Sequence, residues 1–284
     1  ADFTNEEAIK AGSYVMGIQT ATKLSQNKNF DESTFFLKGI EEKVKNPSQS
    51  FDLAAFEKIG DEMQEMSKTD TPLTSEIQAK FYTQYGHYVG NELPNAGYNI
   101  DLFIEGFKER IKNKDLKIEI AMETDILQKL QDVIASESKA ASIKFLEENK
   151  KKEGVVTLPN GLQYKILKKG DGDIAKPEQT IKVNYVGTTI FGKVFDSCAI
   201  SCKGQPFDVS PDRSVLKGWQ EAFKLMNKGS KWQIYVPENL AYGNKSISAE
   251  IKPFSTLIFD IEVVDIFVAP PKVKKCKGGC CGND

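Results

Sequence analysis

The first half of the chain places its apolar residues at a helical period. From residue 5 to about 153 they recur at three- and four-residue spacing, and Pro occurs there only at positions 47, 72 and 94. This pattern predicts five short helices with Asp31, Asp52, Thr74 and Asn99 as N-cap residues. The predicted helices span residues 5–26, 31–45, 51–67, 74–92 and 99–112.

A longer helix follows, because the stretch from Ile118 to Lys152 contains neither Gly nor Pro. Its 35 residues would form a rod of about 50 Å at the rise of an α-helix. Gly154 comes directly after its charged end, and we expect this glycine to be the C-cap.

The helical half also repeats itself. Tyr14-Val15-Met16-Gly17, followed by the segment 34–40, resembles His87-Tyr88-Val89-Gly90, followed by the segment 101–107. Any two amphipathic helix pairs share such spacing, and that is the alternative explanation. We favour a true duplication, because the two glycines stand at comparable points.

After Gly154 the period changes to two, which is typical of strands. One helix near Leu216–Met226 interrupts the alternation. The predicted fold class is α+β: an all-α N-terminal module, a long connecting helix, and an antiparallel β-sheet wrapped over one short helix. The predicted strands are Gly161–Leu167, Ile181–Val186, Lys231–Val236 and Thr256–Asp265.

Composition narrows the class of protein. A length of 284 residues suits two ordinary domains, and a net charge of −2 gives no reason to expect a nucleic-acid partner. No run of 18 apolar residues is present, so no membrane span is predicted. The single histidine, His87, excludes a His-based triad or a multi-His metal site, and we expect it to be structural. The start at Ala1, without Met, favours a processed, exported protein.

The five cysteines fall into two groups. Cys198 and Cys202 are close enough in sequence for a disulfide within a loop, although spacing alone does not fix the geometry. Cys276, Cys280 and Cys281 lie in the Pro-, Lys- and Gly-rich tail, where they could bind a soft metal or cross-link chains. An accidental group of thiols at a frayed terminus is an equally good explanation.

Six ordered blocks between residues 161 and 266 carry a family resemblance. The blocks are Val183-Asn184-Tyr185-Val186-Gly187, Val194-Phe195-Asp196-Ser197, Val215-Leu216-Lys217-Gly218-Trp219, Trp232-Gln233-Ile234-Tyr235-Val236-Pro237, Leu240-Ala241-Tyr242-Gly243 and Thr256-Leu257-Ile258-Phe259-Asp260. In this order they resemble the FKBP-type peptidyl-prolyl cis-trans isomerases. The likeness is to the macrophage-infectivity-potentiator-like subgroup, which has a helical N-terminal extension.

The resemblance implies a division of the chain into a helical N-terminal domain, a connecting helix, an isomerase domain and a flexible tail containing cysteines. These segments are residues 1–117 (two similar units, about 5–67 and 74–117), 118–153, 154–268 and 269–284.

The resemblance also implies a site. Rotation of an Xaa-Pro bond breaks no covalent bond, so a dry aromatic pocket is needed rather than a nucleophile, a metal or a cofactor. By the family match, Asp196, Tyr242, the backbone N–H of Ile251 and Tyr185 are the catalytic groups. Trp219 forms the floor of the pocket, and the walls are Phe195, Phe207, Val215, Leu216 and Phe259.

The expected partners are unfolded or proline-containing polypeptides, with macrolides as inhibitors. In the resembled family one helical unit interlocks with its twin in a homodimer. We therefore expect either such a homodimer or a monomer whose two units form an internal pseudo-dimer. The family implies a periplasmic or cell-surface location. The alternative function is a holdase chaperone with a weak or vestigial isomerase domain, but the presence of Asp196 and Tyr242 favours the enzyme.

Overall fold

The structure is a computed structural model that describes residues 4–26, 35–48, 51–69, 73–116, 120–210 and 216–268. The chain divides into two compact units. We call the first the helical unit: it runs to Ala141 and also includes the segment Asn244–Phe254. We call the second the sheet unit: it comprises Ser142–Gly243 and the chain from Ser255 onward. The predicted α+β class is confirmed.

The helical unit contains the five predicted short helices. The side chains of Asp52, Thr74 and Asn99 accept hydrogen bonds from backbone N–H groups three residues ahead, at 2.9, 3.3 and 3.1 Å, as N-caps do. The predicted cap Asp31 lies outside the described residues. The helices are α1 (Asn5–Ser25), α2 (Phe35–Lys45), α3 (Leu53–Lys68), α4 (Ser75–Asn95) and α5 (Ile100–Lys112).

The helices of this unit pair reciprocally, α1 with α5 and α2 with α4. Glycines stand at both crossings. A Cβ atom on Gly17 would lie 2.1 Å from the carbonyl oxygen of Phe103, and one on Gly86 would lie 2.0 Å from that of Phe36. Both phenylalanines are buried in the core of the unit. The backbones therefore approach so closely that no side chain fits at either crossing.

These contacts indicate a different register for the predicted repeat. The sequence match pairs Gly17 with Gly90, but Gly86 is the residue whose surroundings mirror those of Gly17. A Cβ atom on Gly90 would meet Ile40 at 3.2 Å, which is a looser approach. The error is one helical turn, because a helix presents nearly the same face every four residues.

The long helix, α6, covers Ile120–Asn149 and has 30 residues. It ends at Asn149 rather than at the predicted Lys152, and the buried Asn149 amide donates to Gln163 Oε1 at 3.0 Å. Gly154, the predicted C-cap, has a φ of +78° and instead turns the chain into the first strand. Among the described residues, neither α6 nor any other helix is long and apolar enough to cross a membrane.

The sheet unit is built on one antiparallel sheet. The short helix α8 (Lys217–Phe223) packs on it closely, since a Cβ atom on Gly218 would lie 2.4 Å from Val236 Cγ1. The strands are β1 (Val155–Thr157), β2 (Gln163–Lys168), β3 (Thr180–Thr189), β4 (Val194–Ser197), β5 (Phe207–Val209), β6 (Lys231–Val236) and β7 (Leu257–Phe267). In the sheet they run in the order β1-β2-β6-β7-β3-β4, with β5 paired to β3. A one-turn helix, α7 (Cys198–Ser201), follows β4.

Candidate active site

The sheet unit contains a cavity of about 440 Å³. Eight of the predicted site residues line it, and two further residues, Ser201 and Cys202, were not predicted. Val215 lies outside the described residues. The lining residues are Tyr185, Phe195, Asp196, Ser201, Cys202, Phe207, Leu216, Trp219, Tyr242 and Phe259.

Aromatic rings in edge-to-face contact form most of the wall. The Trp219 ring centroid lies 5.2 Å from those of both Tyr185 and Phe259, at interplanar angles of 76° and 87°. Phe195 meets Phe259 in the same way at 5.6 Å. Such contacts are favourable beyond the area that they bury and fix the orientation of each ring. The wall is therefore apolar and rigid.

Gly187, the last residue of the first sequence block, makes this packing possible. A Cβ atom at this position would lie 2.8 Å from the ring of Phe195 and 3.0 Å from that of Phe259. Any larger residue would displace both rings. The packing of the aromatic wall, rather than the conformation of the strand, therefore requires a glycine here.

Asp196 is the one charged residue among those that line the cavity. Its Oδ2 accepts a hydrogen bond from the Tyr185 hydroxyl at 2.7 Å. Its Oδ1 accepts from the Ser201 hydroxyl at 2.5 Å and from the backbone N–H of Ser197 at 2.7 Å. Three donors therefore hold the carboxylate in one orientation. The sequence did not predict Ser201, because only the turn α7 brings its hydroxyl back toward the Asp196 carboxylate.

The two phenols of the site remain protonated at neutral pH. Burial raises the pKa of Tyr185, and its hydrogen bond to Asp196 raises it further. Burial also raises the pKa of Tyr242, with a smaller contribution from the Asp196 charge. The Tyr185 hydroxyl therefore keeps its hydrogen bond to Asp196, and the Tyr242 hydroxyl can act as a hydrogen-bond donor in the cavity.

Alkaline pH is expected to destabilise the sheet unit through Tyr185. Its pKa is raised on folding, so above pH of about 10 the unfolded chain loses a proton that the folded chain keeps, and the free energy of unfolding falls as pH rises. Denaturant unfolding between neutral pH and pH of about 11 measures this fall. The variant Tyr185→Phe should show a shallower decline, and an equally steep decline would contradict the assignment.

The indole N–H of Trp219 has no hydrogen-bond partner among the described residues, although the atom is buried. An unpaired buried donor is costly in a folded protein and is often found at a functional site. Trp219 therefore contributes both an apolar ring and an unpaired donor to the residues that line the cavity.

Ile251 belongs to the segment Asn244–Phe254 of the helical unit and is not among the residues that line the cavity. Its backbone N–H donates to the Ser248 hydroxyl at 3.2 Å. Its role as a donor to substrate stays a prediction from the family resemblance.

The helical unit has a cavity of its own, of about 450 Å³. Tyr88, Tyr98 and Ile134 line it together with the polar or charged residues Glu92 and Lys252. Burial lowers the pKa of Lys252. This mixed lining lacks the ring of aromatic contacts found in the sheet unit, so the cavity of the sheet unit is the better candidate for a prolyl site.

Two further features of the sequence are His87 and the three cysteines of the tail. His87 is a residue of α4, and its Nε2 lies 2.8 Å from the carboxylate of Glu42 on α2. Cys276, Cys280 and Cys281 lie outside the described residues.

Comparison with known proteins gives the family. Residues 172–264 match the family described as FKBP-type peptidyl-prolyl cis-trans isomerase, and residues 78–166 match the domain amino terminal to it. Outer membrane protein MIP of Legionella longbeachae is 36% identical over 214 residues, which are 71% of this chain and 91% of that protein. The FKBP-type 22 kDa peptidyl-prolyl cis-trans isomerase of Escherichia coli K12 is 32% identical over 206 residues, 69% of this chain and 98% of that protein.

A solved structure, that of FkpA from Escherichia coli, is 28% identical and covers 69% of this chain and 99% of its own, with a TM-score of 0.49. The holdase alternative is not favoured by the family matches. The chain belongs to the FKBP-type peptidyl-prolyl cis-trans isomerase family, and it is an isomerase that assists protein folding by rotating Xaa-Pro bonds.

Proposed function

We propose that the aromatic cavity of the sheet unit is the active site and that it takes a prolyl ring with an apolar residue before it. The observation that carries this proposal is the single carboxylate, Asp196, held by three donors in an otherwise neutral and mainly aromatic lining. A neutral, apolar ring fits such a lining, whereas a charged side chain would lose its hydration there. Macrolides would compete for the same surface.

The proposed mechanism lowers the barrier to rotation without forming a covalent bond. That barrier is about 18–20 kcal/mol, because resonance stabilises and polarises the planar amide. Exclusion of water by the rings around Trp219 removes the solvent that favours this planar form. The Tyr242 hydroxyl donates to the substrate carbonyl, and Asp196 orients Tyr185 and polarises the bound segment.

Replacing Asp196 by asparagine is expected to lower kcat/KM by about tenfold or more, because the change removes the charge and one of two acceptor oxygens. Tyr185 would then face an amide N–H instead of an acceptor. Cis–trans exchange of a Leu-Pro or Phe-Pro peptide, followed by NMR, measures the loss without a coupling protease. Tyr242→Phe in the same assay tests the proposed donor.

Asp208→Asn is the matched control for this experiment. Asp208 is on β5 with its side chain 54% exposed, and its contact with Lys182 is long, at 3.9 Å. We expect this variant to keep wild-type activity. Equal activity of the two asparagine variants would remove Asp196 from the mechanism, and a folded wild type that does not accelerate exchange would refute the proposed site.

We also propose that the two helical copies form an internal pseudo-dimer, so that the chain is a monomer with one isomerase domain. The reciprocal pairing of α1 with α5 and of α2 with α4 supports it, since each helix of one copy packs on the other copy. The matched glycine contacts at Gly17 and Gly86 support the same pseudo-twofold relation. The family match to the amino-terminal domain begins at residue 78, so α1 and α2 precede a complete second copy.

Light scattering on the 284-residue chain as it elutes from a size-exclusion column tests the pseudo-dimer. The proposal expects the mass of one chain, 31.7 kDa, at all concentrations. A stable species of twice that mass, with helices exchanged between chains, would instead establish a homodimer through the helical unit.

We propose the four segments 1–117, 118–153, 154–268 and 269–284 as domains. The separate family matches to residues 78–166 and 172–264 support an amino-terminal part distinct from an isomerase part. We propose a periplasmic or cell-surface location as well. The support is the relative called outer membrane protein MIP. Fractionation of the source cells tests the location, and recovery with cytoplasmic markers alone would refute it.

A further inference from the structure

Two thiols lie one helical turn apart beside the candidate active site. Cys198 is the first residue of α7, and Cys202 is its C-cap, with the Cys202 N–H donating to the Cys198 carbonyl at 3.0 Å. Residues four apart on such a turn point to the same side. Both cysteines are free; Cys198 is buried, while Cys202 is partly exposed and lines the cavity.

The Cys198 thiol is hydrogen-bonded to β3, the strand that contains Tyr185. Its sulfur accepts from the Tyr185 backbone N–H at 3.4 Å, and its S–H donates to the Val183 carbonyl at 3.6 Å. This thiol therefore connects α7, the turn that also contains Ser201, to β3.

We propose that Cys198 and Cys202 form a disulfide under oxidising conditions and that this bond lowers the isomerase activity. The inference rests on the proposed active site. With a small disulfide such as oxidised glutathione as oxidant, the Cys202 thiolate attacks one sulfur and releases a glutathione thiolate. The Cys198 thiolate then attacks Cys202 Sγ in the mixed disulfide and releases the second glutathione. Two protein thiols are oxidised, two glutathiones are reduced, and their thiolates take up the two protons.

Formation of the bond has to deform the turn. Side chains four apart on a helix have Cβ atoms about 5–6 Å apart, whereas a disulfide requires about 3.5–4.5 Å. Ser201 lies in this turn and donates to Asp196 Oδ1. Tightening the turn therefore moves a donor that holds the carboxylate, and oxidation also removes the S–H bond to Val183.

The reaction is expected to be slow at neutral pH and to accelerate as pH rises. Partial burial raises the pKa of the Cys202 thiol, and the neighbouring Cys198 thiol and the Asp196 charge add to this effect. A raised pKa leaves a smaller fraction of the attacking thiolate at pH of about 7, and the fraction grows with pH.

The test uses the full chain with Cys276, Cys280 and Cys281 changed to serine, so that only the pair can react. Samples equilibrated in glutathione buffers of rising potential are divided between thiol titration with intact mass and NMR exchange on a Leu-Pro peptide. We expect a loss of two thiols without a glutathione adduct. We also expect a fall in kcat/KM of about tenfold to a hundredfold, because displacements near 1 Å at an active site can cost about a hundredfold, and we expect recovery with dithiothreitol.

The control is Cys202→Ser in the same background, because this variant cannot form the disulfide. Its activity in each oxidising buffer is compared with its own activity in reducing buffer. Its ratio of oxidised to reduced activity should stay at one. A pair that keeps both thiols, or that oxidises without a change in activity, while the reduced protein is active, would overturn this inference alone. A reduced protein without activity would overturn the proposed site as well.

Discussion

Replacing Trp219 by alanine is expected to abolish measurable isomerase activity and to lower the free energy of unfolding of the sheet unit by about 3–5 kcal/mol. Trp219 is 2% exposed, and its ring contacts both Tyr185 and Phe259. In the proposed site, its removal would leave a void below the prolyl ring, would free two wall residues to move and would admit water to the cavity. NMR exchange on a Leu-Pro peptide and scanning calorimetry measure the two effects.

Two variants separate the floor of the pocket from the core of the unit. Trp219→Phe keeps an aromatic floor but loses the unpaired indole N–H, so we expect an intermediate activity. Trp232→Ala removes the other tryptophan, which is 5% exposed, stacks on Tyr164 at 4.3 Å and does not line the cavity. It should lose similar stability but keep activity per folded molecule. Equal activities of Trp219→Ala and Trp232→Ala, at a temperature where both are folded, would refute the proposed role of Trp219 as the floor of the pocket.

Replacing Gly86 by alanine is expected to destabilise the helical unit by about 1–3 kcal/mol or more, although alanine is the better helix former. The new Cβ atom would lie 2.0 Å from the Phe36 carbonyl oxygen and 3.0 Å from Gly39 Cα. Backbone atoms cannot yield as a flexible side chain can, so α2 and α4 would have to separate. Gly17→Ala should behave alike at the other crossing, because its Cβ atom would meet the Phe103 carbonyl oxygen at 2.1 Å.

Gly60 provides the matched control for the helical unit. It lies within α3, and a Cβ atom there would meet nothing within 4 Å. Gly60→Ala should therefore stabilise the unit by about 0.5–1 kcal/mol through helix propensity alone. Calorimetry on both variants measures the contrast. If Gly86→Ala raised the melting temperature as Gly60→Ala is expected to do, the close crossing of α2 and α4 would be wrong.

Much of the fold was predictable from the sequence, because long elements repeat their apolar period several times. The five helices follow from such repetition, and the caps Thr74 and Asn99 follow from the residue type at the start of each helix. The strands β1, β4 and β5, with three or four residues each, are too short to show alternation and were not predicted. The end of α6 was also missed, since Asn149 is fixed by its partner Gln163, which is distant in sequence.

The candidate site, like the fold, has residues that the sequence predicted and residues that it did not. The aromatic residues and Asp196 stand in blocks whose order is readable, and eight of the predicted residues line one cavity. Ser201 and Cys202 belong to a loop whose path is set by α7, and no spacing rule relates them to Asp196. The register of the helical repeat failed for a different reason: positions four apart on a helix look alike until a partner helix distinguishes Gly86 from Gly90.

The placement of the tryptophans has a consequence for spectroscopy. The chain has two, Trp219 and Trp232, and both belong to the sheet unit. Intrinsic tryptophan fluorescence therefore follows the melting of the sheet unit alone, whereas ellipticity at 222 nm, a standard helix band, follows mainly α1–α6. Chains with two domains need not unfold in one step. Recording both signals on one sample thus assigns each transition to its unit without cutting the chain.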